Sequence, residues 1–204
     1  MITTIDGKTM GGLYRLRVPT AQVFSGLKAL TQDVLDRIDT QMSAWISHSD
    51  LCRFNVTPVG EWVSIPSDMA NVVALGLQMS TFTDGALNIC LGQQSRAFGF
   101  MPGKVGGSNF SDANTALDLD LENTMLRRRT DVVLDLNAIA KGYAADLVCS
   151  TLRQSGVRDM MIEVAGDICA IGQRPDQNPW TVAMELPLSD RIVPIRFVPL
   201  KDQA

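Results

Sequence analysis

Histidine is all but missing from this sequence: His48 is the only one. The four cysteines, Cys52, Cys90, Cys149 and Cys169, lie far apart and never form a C-x-x-C pair. Both facts argue against a zinc site, and buried free thiols are expected in place of a disulfide. A Ser–His–Asp triad would have to use His48, which sits in the polar turn WISHSD with no nucleophile motif beside it. No run approaches the roughly 18 apolar residues of a membrane helix. The opening MITTIDGKTMGG shows no charged stretch followed by an apolar block, so no signal peptide is read there and the chain by itself reads as cytoplasmic. Net charge is −4, and the only like-charge run is RRR at 127–129. Nucleic acid and an anionic membrane surface are therefore not expected partners, and the run is expected in a solvated loop. Walker and Rossmann glycine patterns are absent, as are repeats and low-complexity tracts.

What remains is the composition of a folded globular chain. Of 204 residues 46% are hydrophobic and 20% charged, enough for a sizeable core, read here as one domain over 1–204. LYRLRV (13–18) alternates like a strand. Thr20 is expected to cap a long helix running to about Ser47, with Val23, Leu27, Leu30, Val34, Ile38, Met42 and Trp45 on one face. EWVSI (61–65) is a short strand, and Pro66–Ser67 open a second helix. TDGALN (83–88) ends that helix, with Gly85 free to take positive φ. FGFMPGKVGGSNFSDAN, from about 99 to 115, is loop. Residues 132–156, VVLDLNAIAKGYAADLVCSTLRQSG, read as a β-branched strand ending at Asp135, then a helix capped by Asn137 and stopped by Gly156. MMIEVAGDICAIGQ (160–173) is two strands around a turn at Ala165–Gly166–Asp167; PWTVAMELP (179–187) and RIVPIRFV (191–198) are further, antiparallel strands. Ending just after a strand leaves a sheet edge, which invites self-association and suggests a piece of a longer chain.

The candidate site residues carry open alternatives at this level. A carboxylate closing an apolar strand is costly to bury unless hydrogen-bonded, so Asp135 either supports the helix N-terminus or accepts from a ligand. Lys141 is either an exposed helix lysine or, with the helix start, part of a phosphate cradle. Its neighbours Ala138, Ala140 and Gly142 are unusually small, and a close approach of ligand or backbone would explain them. Met10 in TMGG is a loop residue or packs on a flat ring; Trp45 is core or a stacking face.

Taken in order, TMGG…Y, MSAWISHSDLCRFN, TDGALNICLG, FGF, LDLNAIAKGYAAD, EVAGDI and PWTVAMELP resemble the FAD:protein FMN transferases, the ApbE-type flavin transferases. The resemblance runs from Thr9 to about Pro187 and is most specific in LDLNAIAKGYAAD. It implies an α+β fold: mixed, largely antiparallel sheets packed with two long N-terminal helices and the strand–helix unit at 132–156. It implies FAD as donor substrate, Mg²⁺, and transfer of the FMN moiety to a threonine or serine hydroxyl of an acceptor flavoprotein with release of AMP. Met10, Trp45, Ala86, Leu87, Asn88, Asp135 and Lys141 would hold FAD, with Asp135 and Lys141 facing one groove, and the Ala138 carbonyl would meet the metal. Family members are commonly exported, lipid-anchored proteins.

The departures also set expectations. Trp45 stands where tyrosine is more usual, Asn88 where aspartate is, SRAFGF where the family has LWGFG, and Ala165–Gly166 at the paired glycines of VE-x-GG. No H-x-I-D-P-x-T-G segment occurs within these 204 residues, nor the later aspartate and threonine that complete the magnesium site. The chain as given is therefore expected to correspond to the N-terminal two thirds of such an enzyme, with impaired transfer. The alternatives are a non-catalytic FAD-binding protein and an interaction module with an empty cleft.

Overall fold

The computed structural model describes residues 1–106, 111–187 and 192–202. Residues 107–110 of the expected loop, and Arg191 of the last expected strand, lie outside the described residues. In chain order the elements are β1 (Ile2–Thr9), β2 (Gly12–Pro19), a 3₁₀ turn (Thr20–Gln22), α1 (Leu27–Met42), α2 (Asp50–Val56), β3 (Trp62–Ser64), α3 (Ser67–Phe82), α4 (Gly92–Ala97) and α5 (Ala113–Ala116), then β4 (Leu117–Asp120), β5 (Met125–Arg128), α6 (Asn137–Gln154), β6 (Met160–Val164), β7 (Asp167–Ile171), β8 (Trp180–Pro187) and β9 (Ile192–Leu200). The class is α+β, every strand pairing between named strands is antiparallel, and the chain divides into two compact units, 1–35 with 141–204, and 36–140.

The first unit is built on a four-stranded sheet of order β1-β2-β6-β7. β1 is a strand that the polar stretch ITTIDGKT does not announce; it forms because a two-residue turn folds it onto β2 in register from Thr9↔Gly12 to Ile2↔Pro19. Gly7 lies opposite Tyr14, and a side chain there would strike the Tyr14 ring. Tyr14, Leu16 and Val18 of β2, and Met160, Ile162 and Val164 of β6, are buried, as are Ala144, Val148, Cys149 and Leu152 of α6. Gly156 takes φ 95° after α6, and Val157 N–H reaches back to the Leu152 carbonyl at 3.0 Å, the expected helix stop. β8 and β9 form a separate antiparallel ribbon, irregular between Met184 and Glu185. Its buried end, Trp180 with Val182 and Leu200, packs with Met161, Ala170, Ile2 and Ile168, and the indole N–H donates to the Ile171 carbonyl at 3.1 Å.

α1 does not begin at Thr20. Gly26, at φ 95°, breaks the chain direction before Leu27, and Thr20 instead receives a hydrogen bond from the Thr3 hydroxyl. The helix also stops at Met42, so Trp45 lies beyond it and Val23 before it, both exposed; the buried stripe is Leu27, Thr31, Val34, Leu35, Ile38 and Met42.

In the second unit β5 lies between β3 and β4. The arginine run is not a solvated loop. Arg127 and Arg128 belong to β5; Arg127 and Arg129 both bind Asp118, which pairs with Arg127 across the strands. Arg128 is only 6% exposed. Its guanidinium donates to the Val132 carbonyl at 2.8 Å and to the Thr57 carbonyl, with the Phe54 ring beneath. Burial holds its pKa below the usual arginine value. The fork of donors suits it to gather carbonyls that have no strand partner. α3 begins after Pro66 as expected and buries Met69, Ala70, Val72, Val73, Gly76 and Ser80.

Candidate functional site

The stretch before α6 is not a strand. Residues 132–136 belong to no named strand, and among the described residues their one ladder contact is an isolated parallel bridge, Leu91↔Val133. Their peptide groups are satisfied piecemeal. The Asn55 amide both accepts from Leu134 N–H (2.8 Å) and donates to its carbonyl (2.9 Å), doing the work of a neighbouring strand. Gly92 N–H donates to the Val133 carbonyl (2.9 Å) and Asp135 N–H to the Ile89 carbonyl (2.8 Å). A β-branched run sets an extended backbone, but a strand also needs a partner strand, and here side chains and loops fill that place.

Asp135 is half-buried, and both of its oxygens are engaged. Oδ1 accepts Asn137 N–H at 2.9 Å; Oδ2 accepts the Ser95 hydroxyl at 2.5 Å. Asn137 is therefore the first helical residue and not the cap; the carboxylate two residues earlier takes its orphan N–H, because Leu136 has no polar atom to offer. The negative charge lies where the helix dipole favours it. Each oxygen keeps one further lone pair for a ligand. Ala138, in the first turn, is exposed.

The Ala86–Leu87–Asn88 segment follows the end of α3. Asp84 (φ 51°) and Gly85 (φ 80°) turn the chain, and the Thr83 hydroxyl accepts Leu87 N–H at 3.0 Å while donating to the Met79 carbonyl. Ala86 is exposed and Leu87 half-buried. Asn88 is 8% exposed: its oxygen accepts Cys90 N–H (2.8 Å), and its nitrogen donates to the Ser111 carbonyl (3.0 Å). An aspartate could make only the first of these bonds. Trp45 is 67% exposed, which excludes the core reading and leaves its ring free to stack; its backbone N–H is fixed by the Ser43 hydroxyl.

Met10 and Lys141 belong to the other unit. Met10 (φ 47°) and Gly11 (φ 75°) are the two central residues of the β1–β2 turn, and Ala165 (φ 47°) with Gly166 (φ 102°) repeat this pattern between β6 and β7. Positive φ at both places marks the type I′ turn, whose first position normally takes Asn, Asp or Gly. A methionine and an alanine there are strained. The two turns are neighbours: Ala165 N–H donates to the Leu13 carbonyl at 2.9 Å, and a side chain on Gly12 would touch Ala165. Lys141 is half-buried, one turn into α6. Gly142 beside it faces open space, so packing does not demand glycine there. That space belongs to a cavity of about 340 Å³ between Gly142 and Asp146 of α6, the Gly166–Ile168 turn, and Val182 and Leu200 of the ribbon.

No shared metal centre appears among the described residues: no three His, Cys, Asp or Glu side chains converge. The Ala138 carbonyl would be a single neutral donor, short of the octahedral oxygen set that Mg²⁺ demands, so these residues alone do not make a magnesium site. Cys90 and Cys149 are not ligands in waiting either. Burial, with Asp112 near, pushes Cys90 up to about 12, and Cys149 is raised by its contact with Cys169 and by burial. No helix among the described residues is long and apolar enough to cross a membrane. Asn55 and Ser95 lie within the stretches MSAWISHSDLCRFN and SRAFGF but are not among the expected site residues; both act through contacts distant in the chain, to which periodicity is not sensitive.

Comparison with known proteins agrees with this architecture. A protein from Haemophilus influenzae called FAD:protein FMN transferase is 28% identical over 204 residues, covering 91% of this chain and 59% of its own length. One of the same name from Klebsiella pneumoniae is 30% identical over 200 residues, covering 91% and 57%. This chain thus spans less than two thirds of the curated relatives it matches. The apo crystal structure of the flavinyl transferase ApbE of Pseudomonas stutzeri superposes with a TM-score of 0.79 at 29% identity, over 95% of this chain and 67% of that one. The ApbE protein of Thermotoga maritima, at 21% identity and a TM-score of 0.82, shares the fold. The model of the ApbE family matches residues 10–204, from the strained methionine of the first turn to the end of the chain, and on that extent the chain belongs to the ApbE family.

Proposed function

We propose that this chain supplies the FAD-binding part of an FAD:protein FMN transferase, which passes the FMN moiety of FAD to a threonine or serine hydroxyl of an acceptor flavoprotein and releases AMP. The residues proposed to contact FAD are Met10, Trp45, Ala86, Leu87, Asn88, Asp135 and Lys141. The observation that carries this reading is the start of α6. A carboxylate is held there by two bonds with lone pairs to spare, followed by an exposed small residue and, at Gly142, by free space. A dinucleotide can approach a backbone so uncluttered, and an exposed indole at Trp45 offers a flat ring a stacking surface. Mg²⁺ comes with the family resemblance, with the Ala138 carbonyl as its one proposed contact.

Calorimetric titration of the chain with FAD, with and without Mg²⁺, tests the binding claim: saturable binding that weakens in Asp135→Ala is expected. Absence of binding by the parent chain, or an unchanged affinity in Asp135→Ala, would overturn it. The only histidine in the sequence, His48, lies in the polar connection between α1 and α2, and this favours a second reading for the chain as given, an FAD-binding protein without transfer. An FMN-sized mass gain on an acceptor flavoprotein incubated with chain, FAD and Mg²⁺ separates the two.

A further inference from the structure

We infer that Ser95 is a positioning residue for Asp135, holding the carboxylate in its binding geometry before the flavin nucleotide arrives. The inference deepens the proposed function and rests on Asp135 being an FAD contact.

The Ser95 hydroxyl donates to Asp135 Oδ2 at 2.5 Å across 40 residues of sequence. The other oxygen is held, among the described residues, by Asn137 N–H. A carboxylate gripped at one oxygen still swings about its broad terminal torsion; gripped at both, it does not. Ser95 is itself fixed from two sides. One turn earlier on α4, Gly92 N–H bonds the Val133 carbonyl at 2.9 Å, and a side chain on Gly92 would collide with Val133, so α4 is seated on the segment that carries Asp135. From the other side, Phe100 N–H donates to the Ser95 carbonyl at 2.8 Å, closing the turn after α4. The hydroxyl therefore reaches Asp135 from a main chain anchored before and after it. Arranging a binding group in advance spares the entropy that ordering it at binding would cost. Ser95 is not needed to cap α6, since that bond belongs to Oδ1, so its own bond acts on the carboxylate's orientation.

The test measures FAD affinity by calorimetry on the 204-residue chain, comparing Ser95→Ala, Ser95→Thr, Asp135→Ala and the Ser95→Ala/Asp135→Ala pair, with thermal unfolding of each. Ser95→Ala is expected to weaken FAD about tenfold, the effect of one charge-assisted hydrogen bond. Ser95→Thr, which keeps the hydroxyl, should restore affinity, and Ser95→Ala should add nothing once Asp135 is alanine. If Asp135→Ala weakens binding but Ser95→Ala does not, or if the two losses simply add, the positioning role is wrong while the FAD reading stands. If Asp135→Ala leaves affinity unchanged, the FAD reading fails and this inference with it. Should Ser95→Ala not fold, Ser95→Cys, similar in volume but a weaker donor, makes the same comparison.

Discussion

The sheet β1-β2-β6-β7 and the segment 132–136 are held in opposite ways. In the sheet the backbone satisfies itself along eight register pairs between β1 and β2 and five between β6 and β7. Its side chains are then free to pack, and its polar contacts, such as Arg15 with Asp6, sit at the surface. Among the described residues no named strand pairs with the segment, and the same peptide groups depend on the Asn55 amide, the Arg128 guanidinium and the backbone of Ile89 and Gly92. Regular pairing spreads the structure over many equivalent bonds; irregular pairing concentrates it in single side chains. The candidate binding carboxylate sits on the second kind of backbone, where few residues fix its position.

The sharpest way to break this contrast is Asn55→Ala. It strands the N–H and carbonyl of Leu134, a fully buried residue, and should cost about 2–4 kcal/mol of stability in urea unfolding, two unsatisfied groups' worth. A loss below that range would mean that water or relaxation replaces the amide. In the sheet the sensitive point is conformational instead. Ala165→Gly relieves a positive φ in the β6–β7 turn and should raise stability by about 0.5–1 kcal/mol, read as a higher Tm. A lower Tm would show that the methyl's contact near Gly12 outweighs the strain. The smallest effect belongs to a polar pair on a regular ladder. Arg129, then Arg127, hold the Asp118 carboxyl down at about 2. A depressed carboxylate stabilises the fold above its unfolded value of 3.8, and that contribution is lost as pH falls toward about 2. Asp118→Asn should remove this acid-dependent share, below about 1 kcal/mol given the half-exposed Arg129, and flatten the urea midpoint across that window.

The same contrast explains what could be read beforehand. MMIEVAGDICAI shows its hairpin because two apolar runs around a small-residue turn are local; α3 shows through its start after Pro66 and its end at the TDG turn, and α6 through its stop at Gly156, while Asn137, expected as the cap of α6, is its first helical residue. β1 stayed hidden since its polar sequence is a strand only by virtue of the turn at Met10–Gly11. Residues 132–135 carried the strand signal without a strand, because propensity reports backbone shape and is blind to neighbours. The candidate carboxylate at Asp135 was visible as a residue out of place, but Ser95 and Asn55 were not, since a serine after QQ and an asparagine inside α2 look like surface residues until the fold brings distant segments together.

The pairing of β2 with β6 has a consequence for how the chain is made. Residues 20–159 separate the two strands, and the whole of the second unit is threaded into that interval. During synthesis the β1–β2 hairpin emerges well before β6, its partner at the inner edge, so that edge must wait while residues 36–140 are made. A nascent chain of this layout keeps that edge open to wrong partners until β6 is made, and a pause or a chaperone acting before residue 160 would matter more for this sheet than one acting after it.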